Sequence, residues 1–147
     1  MYEQLRLDRQ LCFRLYTLSR LVTQAYHPYL APLGLTYPQY LVLLVLWERD
    51  GQAVCDIAER LSLETNTVTP LLQRMERNGL LTRTRSSVDG RQHLVHLTRK
   101  GHLLQHRAKD VPECMTDHLS QTHLEAGRLE QLVADIDAMT AALKATL

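Results

Sequence analysis

The stretch Ile57-Ala58-Glu59-Arg60-Leu61-Ser62-Leu63-Glu64-Thr65-Asn66-Thr67-Val68-Thr69-Pro70-Leu71-Leu72-Gln73-Arg74-Met75-Glu76-Arg77-Asn78-Gly79 decides the fold. It reads as the end of a short helix over residues 54–61, a turn at Ser62-Leu63-Glu64, and a longer helix over residues 65–78. Asn78-Gly79 supplies a left-handed stop. Two helices of this size joined by so short a turn form a helix-turn-helix. Just downstream, residues 81–85 and 93–97 read as two short strands around Ser86-Ser87-Val88-Asp89-Gly90-Arg91, a run rich in turn formers. A hairpin added to a helix-turn-helix makes a winged helix.

Working outward, Thr98 caps a long helix running toward Leu119, interrupted or bent near Pro112. A last helix is expected over residues 123–145, starting at His123. Upstream, apolar residues over residues 5–25 recur at helical spacing. His27-Pro28 closes that helix, and Pro32-Leu33-Gly34-Leu35-Thr36 reads as a loop. Thr36 is an N-cap candidate for a second helix with Pro38 in its first turn. This helix is apolar nearly all round from Tyr40 to Trp47 and should be the buried centre, with Asp50-Gly51 ending it. The expected fold class is mainly α with a small β-wing, in one domain over residues 1–147. A winged-helix lobe occupies about 37–98, and helices at about 5–30 and 99–147 carry spare apolar faces that suggest a dimer. No internal repeat is visible.

At 147 residues the chain has the length of one domain with a substantial core. A single Phe and a single Trp leave that core to Leu, Val and Ala, which suits packed helices. No apolar run approaches a membrane span, since Trp47 is followed at once by Glu48, Arg49 and Asp50. Met1-Tyr2-Glu3-Gln4 has no signal-peptide character, so a cytoplasmic protein without membrane partners is expected. Cys12, Cys55 and Cys114 are odd in number and far apart, which indicates neither a disulfide framework nor a metal knuckle. In a reducing compartment they rest as thiols. No cofactor is expected. The net charge of +1 hides a basic middle: residues 60–109 hold ten Lys or Arg against three acids, and residues 110–147 hold two against seven. That middle is the electrostatic footprint of a surface that meets phosphates, with a merely solvated charged face as the alternative.

The longer helix of the pair opens with Thr65, Asn66, Thr67, Thr69 and Pro70. Small hydroxyls and an amide there can approach phosphates and base edges in the major groove, and Gln73, two turns on, can reach a base. The alternative is N-capping with solvent exposure. Leu71, Leu72 and Met75 read as core. Arg83, Arg85 and Arg91 make the hairpin a cationic wing for minor-groove or backbone contact. Asp89 repels DNA, so its expected task is to hold Arg91. Cys12, in Leu11-Cys12-Phe13-Arg14-Leu15-Tyr16, lies four residues after Asp8, a plausible N-cap. The positive end of a helix favours thiolate over thiol, and tyrosine hydroxyls can donate hydrogen bonds to it. A reactive thiol joined to a DNA reader suggests a redox-sensing repressor. Cys55 reads as a packed thiol. His102 and His106, four apart on one helix face, could start a metal site but lack further ligands, so no metal is expected. His93, His96, His118 and His123 form no recognisable constellation.

Several of these stretches resemble the MarR family: Asp56-Ile57-Ala58-Glu59-Arg60-Leu61, then Leu71 through Leu80, then Asp89-Gly90-Arg91 followed by Leu97-Thr98-Arg99-Lys100-Gly101. Within that family, Leu11-Cys12-Phe13-Arg14-Leu15-Tyr16 and Gly34-Leu35-Thr36-Tyr37-Pro38-Gln39-Tyr40 are similar to the OhrR group of organic-hydroperoxide-responsive repressors. The resemblance covers about residues 5–120. It implies a winged-helix homodimer with interlocking ends, bound to a palindromic operator in double-stranded DNA. It also implies that Cys12 is the peroxidatic cysteine, that Tyr26 and Tyr37 are hydrogen-bond partners of its thiolate, and that Asp89 and Arg91 belong to the wing contact. Gly90 departs from the family, where a bulkier and often charged residue is common.

Two-cysteine members of the group carry a resolving cysteine after the wing, and Val111-Pro112-Glu113-Cys114 fits that region. The implied chemistry is oxidation of Cys12 to a sulfenic acid, then condensation with Cys114 of the partner subunit. That bond requires the two Cα atoms within roughly 7 Å. In the other reading Cys114 is a small buried hydrophobe and a small thiol caps the sulfenate. The expected function is thus a repressor whose effector is an organic hydroperoxide. The alternative is a MarR-type repressor released by a noncovalent phenolic or lipid ligand. A thiol peroxidase lacks a conventional motif around Cys12 and leaves the basic segment unexplained. A winged helix that binds only protein would show no salt-dependent DNA affinity.

Overall fold

The computed structural model describes residues 1–122 and 125–147, and of Ala126 the backbone only. Two single 3-10 turns, Glu3–Leu5 and Leu7–Arg9, precede helix α1 (Leu11–Ala25). The helix begins later than its apolar spacing suggested, and Asp8 is not its N-cap. Gln10 takes that place without a side-chain cap, because its amide turns back to the carbonyls of Gln4 (2.8 Å) and Arg6 (3.0 Å). The Asp8 carboxylate is engaged by Arg6 at 3.0 Å. Cys12 therefore becomes the second residue of α1.

His27-Pro28 does not end the helical path either. After Tyr26 the chain forms α2 (His27–Leu30), with Pro28 in the first turn, where a missing N–H is harmless. A 3-10 turn, Ala31–Leu33, and Gly34 at φ +70° complete the loop. Thr36 then caps α3 (Tyr37–Glu48) as expected, within a capping box: Gln39 N–H donates to Thr36 Oγ1 (3.4 Å), and Thr36 N–H to Gln39 Oε1 (3.0 Å). Tyr40, Val42, Leu43, Val45 and Leu46 of α3 are buried, so this helix is the centre of the lobe.

A two-residue strand, β1 (Gln52–Ala53), was not foreseen. It leads into α4 (Val54–Arg60), and Ser62 at φ +55° turns the chain into α5 (Thr65–Arg77). Ile57 and Ala58 of α4 pack into the core with Val68, Leu71, Leu72 and Met75 of α5. The strands β2 (Leu81–Arg85) and β3 (His93–Leu97) fall where expected. They pair antiparallel, Leu81 opposite Leu97 and Arg85 opposite His93, and β1 adds on the other side of β3 in the order β1-β3-β2.

Thr98 caps α6 (Arg99–Ala108), its Oγ1 accepting from Gly101 N–H at 3.1 Å. Gly101 seats this helix against the lobe: a Cβ there would lie 2.2 Å from the Leu80 carbonyl oxygen, and Trp47 Nε1 donates to the Gly101 carbonyl at 3.0 Å. The expected interruption near Pro112 is present, since Lys109 and Asp110 separate α6 from α7 (Val111–Ser120). The last helix, α8, is described as Ala126–Thr146; its expected start at His123 lies outside the described residues. The chain forms two compact units, Met1–Asp110 and Val111–Leu147. Among the described residues no single helix is long and apolar enough to cross a membrane.

Candidate functional site

The start of α5 carries no side-chain cap, and its N-cap is Glu64. Thr65, Asn66 and Thr67 are therefore not spent on capping and stand exposed. Thr69 Oγ1 donates to the Thr65 carbonyl at 2.9 Å. Pro70 has no N–H to offer the carbonyl of Asn66, one turn back, which leaves that acceptor open. Asn66, Pro70, Gln73 and Arg77 are exposed at spacings of four, three and four, one face of the helix turned away from the buried Val68, Leu72 and Met75. Arg77, and Arg74 beside it, are exposed cations that the reading of the sequence passed over. Their spacing from Pro70 was the available signal.

The wing is built from backbone bonds and short side chains. Ser86 Oγ accepts from Val88 N–H (3.2 Å) and Asp89 N–H (3.3 Å), and Gln92 N–H donates to the Asp89 carbonyl (3.0 Å). Asp89 does hold Arg91, but through the main chain: Arg91 N–H donates to Asp89 Oδ1 at 3.0 Å. Arg85 and Arg91 are exposed. Arg83 is different, with a side chain 21% exposed that reaches the Glu76 carboxylate. Thr65, Thr69, Arg83 and Arg91 come together around a cleft of about 380 Å³, with His93 and Cys55 on its wall. Cys55 is exposed, not packed as expected. Ile57 and Ala58 take the buried face of α4, and a residue two positions earlier points away from it.

Cys12 is exposed on the first turn of α1, where N–H groups lack intrahelical acceptors. Arg14 folds back over this turn, donating to the carbonyls of Gln10 (3.2 Å) and Asp8. At the far end of the helix the structure brings Tyr26 and Tyr37 together, ring centroids 4.7 Å apart. Tyr40 joins them at 5.9 Å from Tyr26 and 6.4 Å from Tyr37. The sequence reading missed Tyr40, although it lies one helical turn after Tyr37. Burial pushes all three phenols above their ordinary value, and the neighbouring phenols add to this for Tyr37 and Tyr40. At neutral pH they are uncharged donors. Cys12 and Tyr26 stand at opposite ends of α1, about 21 Å apart at 1.5 Å per residue, so one chain does not bring this thiol to its own tyrosines. Cys114 lies half-buried on α7.

Beside the tyrosines is a second, mostly apolar cleft of about 490 Å³, lined by Thr23, Gln24, His27, Leu30, Leu35 and Tyr37 among others. His102 Nε2 lies 3.6 Å from Asp50 Oδ2, and Asp50 Oδ1 accepts from Leu97 N–H at 2.8 Å. Among the described residues no three His, Cys, Asp or Glu side chains converge to hold a metal.

Residues 35–93 match the model of the MarR family. The chain is 48% identical over 111 residues to the organic hydroperoxide resistance transcriptional regulator of Bacillus subtilis, covering 76% of each. Among solved structures it is similar to reduced AbfR bound to DNA, at 35% identity, 96% coverage of both chains and a TM-score of 0.76. It is also similar to the disulfide-formed state of AbfR, at 40% identity, 89% of this chain, 95% of that one and a TM-score of 0.62. AbfR is a protein of Staphylococcus epidermidis.

Proposed function

The chain belongs to the MarR family, and from that premise we propose that it is a repressor released from its operator when an organic hydroperoxide oxidises Cys12. As a member of that family it is a DNA-binding regulator of transcription and not an enzyme. The observation that carries the proposal is the exposed Cys12 on the first turn of α1. The name of the Bacillus subtilis relative and the reduced and disulfide states of AbfR support it.

In this reading two chains associate through their end helices, and the Tyr26–Tyr37 pair of one chain serves the Cys12 thiolate of the other. The separation along α1 requires that arrangement if the phenols are to donate to the thiolate at all. The two α5 helices enter successive major grooves of a palindromic operator, about 34 Å apart, with the wings alongside. The Cys12 sulfur attacks the outer peroxide oxygen: an S–O bond forms, the O–O bond breaks, and the alcohol leaves. The Cys114 thiol of the partner subunit then condenses with the sulfenic acid, forming the S–S bond and releasing water. Half-sites have fixed spacing, so a small change in helix separation removes many contacts together. Emptying an almost fully bound state requires a differential of about 5 kcal/mol, which a covalent bond can supply.

The test is operator binding by wild type and Cys12→Ser, before and after cumene hydroperoxide, with non-reducing gels alongside. Wild type should release DNA while Cys12→Ser holds it. A dimer-sized band, lost in Cys114→Ser, should accompany release. If wild type holds on after peroxide, the peroxide reading fails. The apolar cleft beside Tyr37 favours a second reading, release by a noncovalent phenolic or lipid ligand. That reading predicts release of Cys12→Ser by such a ligand without peroxide.

A further inference from the structure

Arg83, on the wing strand β2, reaches an acid on the DNA-reading helix α5. Side chains alternate along β2, so Arg83 shares its face with Leu81, which is 1% exposed. Arg83 thus starts on the core side of the sheet, whereas Arg85, two residues nearer the tip, has passed the edge of the core and is exposed. From that position Arg83 makes two bonds to one carboxylate on α5. Its backbone N–H donates to Glu76 Oε2 at 2.9 Å, and its Nη2 lies 3.5 Å from Glu76 Oε1. Its Nε is buried, with no hydrogen-bond partner among the described residues. A guanidinium displayed for a phosphate keeps its forked donors within reach of the ligand. This one has a donor shut away from water and another on an acid. Glu76 lies one turn beyond Gln73, and the far end of β2 carries the wing. The Glu76–Arg83 contact is therefore a joint between the two elements that must meet DNA together.

We propose that Glu76 is a positioning residue for DNA reading: through Arg83 it sets the wing against the reading helix, and Arg83 serves this joint instead of a phosphate. The proposal rests on the DNA-reading function. An acidic residue on a DNA-facing helix otherwise only repels the ligand, and its removal would tighten binding. As a joint, its removal loosens binding to the correct sequence while leaving the sequence-independent attraction in place.

The experiment uses a duplex selected from a random library by the wild-type protein and an unselected duplex of equal length, each titrated at several KCl concentrations. The variants are Arg83→Gln, Glu76→Gln and the charge-conserving double variant, with folding followed by circular dichroism. Gln at position 76 keeps an oxygen for the Arg83 N–H, so the fold survives. Each variant should bind the selected duplex about tenfold more weakly, the scale of one charge-assisted hydrogen bond. The double variant should lose no more than either single one, because both break the same contact. The double variant should also leave binding to the unselected duplex and the salt slope unchanged. A stability effect alone would not move the ratio between the two duplexes in folded protein. Two outcomes overturn the proposal: a salt slope shallower by about 0.9 per subunit for Arg83→Gln, the mark of a lost phosphate contact, or undiminished binding of the selected duplex by Glu76→Gln. Failure of the wild type to select any sequence would instead count against the DNA-reading function.

Discussion

The lobe built around α3 and the helix α1 draw on the same aliphatic residues and end differently. In the lobe, Val42, Leu43, Val68, Leu72 and Met75 are completely buried within one chain. In α1, Leu11, Phe13, Leu15, Leu18 and Leu21 remain 40–59% exposed, and none of its residues is buried. The described side chains of α8 behave like those of α1, with Val133, Ile136, Met139 and Leu143 exposed. Apolar side chains left exposed in such numbers mark an interaction site, and the proposed second copy of the chain would cover them. One region is finished by its own sequence. The other leaves its apolar residues uncovered within the chain.

Paired substitutions can break that comparison. Leu72→Ala removes a side chain from a closed core and should cost about 2–5 kcal/mol, measured by urea unfolding, at any protein concentration. Leu18→Ala, at a position still 50% exposed in the chain, should cost about 1–2 kcal/mol, and only through association. Its cost should therefore vanish on dilution below the concentration at which the wild type dissociates. A Leu18→Ala loss independent of concentration would mean that α1 is packed by its own chain.

The same division explains what could be read from the sequence. Elements closed by local rules were legible: both wing strands, the turn after α4, the Thr36 and Thr98 caps, and the buried face of α5. Asp8 was misread because capping competes with local ion pairing, and Arg6 took its carboxylate. β1 was invisible because two residues carry no periodicity; they become a strand only by pairing with β3. At the candidate site, Thr65, Asn66, Thr67 and Gln73 stand exposed, as residue type and register allow. Arg83 was readable as a cation but not as the partner of Glu76, because helix and strand periodicities must be superimposed to see the contact. Cys55 is exposed because its distance from the buried Ile57 along α4 turns it outward, a register that hydrophobic character alone does not show.

A smaller effect should appear where α1 meets the lobe, at Tyr26, Tyr37 and Tyr40. Their phenol pKa values are raised on folding, first by burial. A raised value means that the folded state favours the neutral form. The cluster's contribution is therefore fully present below the ordinary phenol value of about 10 and is lost as pH rises through the higher folded values. Phenolate absorbance should show part of the six tyrosines titrating late in native protein and at the ordinary value in urea. Tyr26→Phe should bring Tyr37 and Tyr40 downward, since Tyr26 adds to the shift of both. Titration of every tyrosine at the ordinary value in native protein would mean that α1 and α3 do not meet there in solution.

The smallest effect belongs to the wing tip, which tests the comparison from the other side because neither core nor partner holds it. Gly90 has no positive φ, and a Cβ added there meets nothing within 4 Å. Glycine at such a place adds freedom mainly to the unfolded chain, so Gly90→Ala should stabilise the protein by about 0.4–1 kcal/mol. The folded tip is already set by Ser86, Asp89 and Gln92 through five hydrogen bonds of 2.8–3.3 Å. If those bonds define its shape, affinity for the selected duplex should stay within twofold of wild type while the unfolding midpoint rises. If Gly90→Ala changes affinity more than stability, the tip must move to fit DNA, and its freedom is part of how the wing binds.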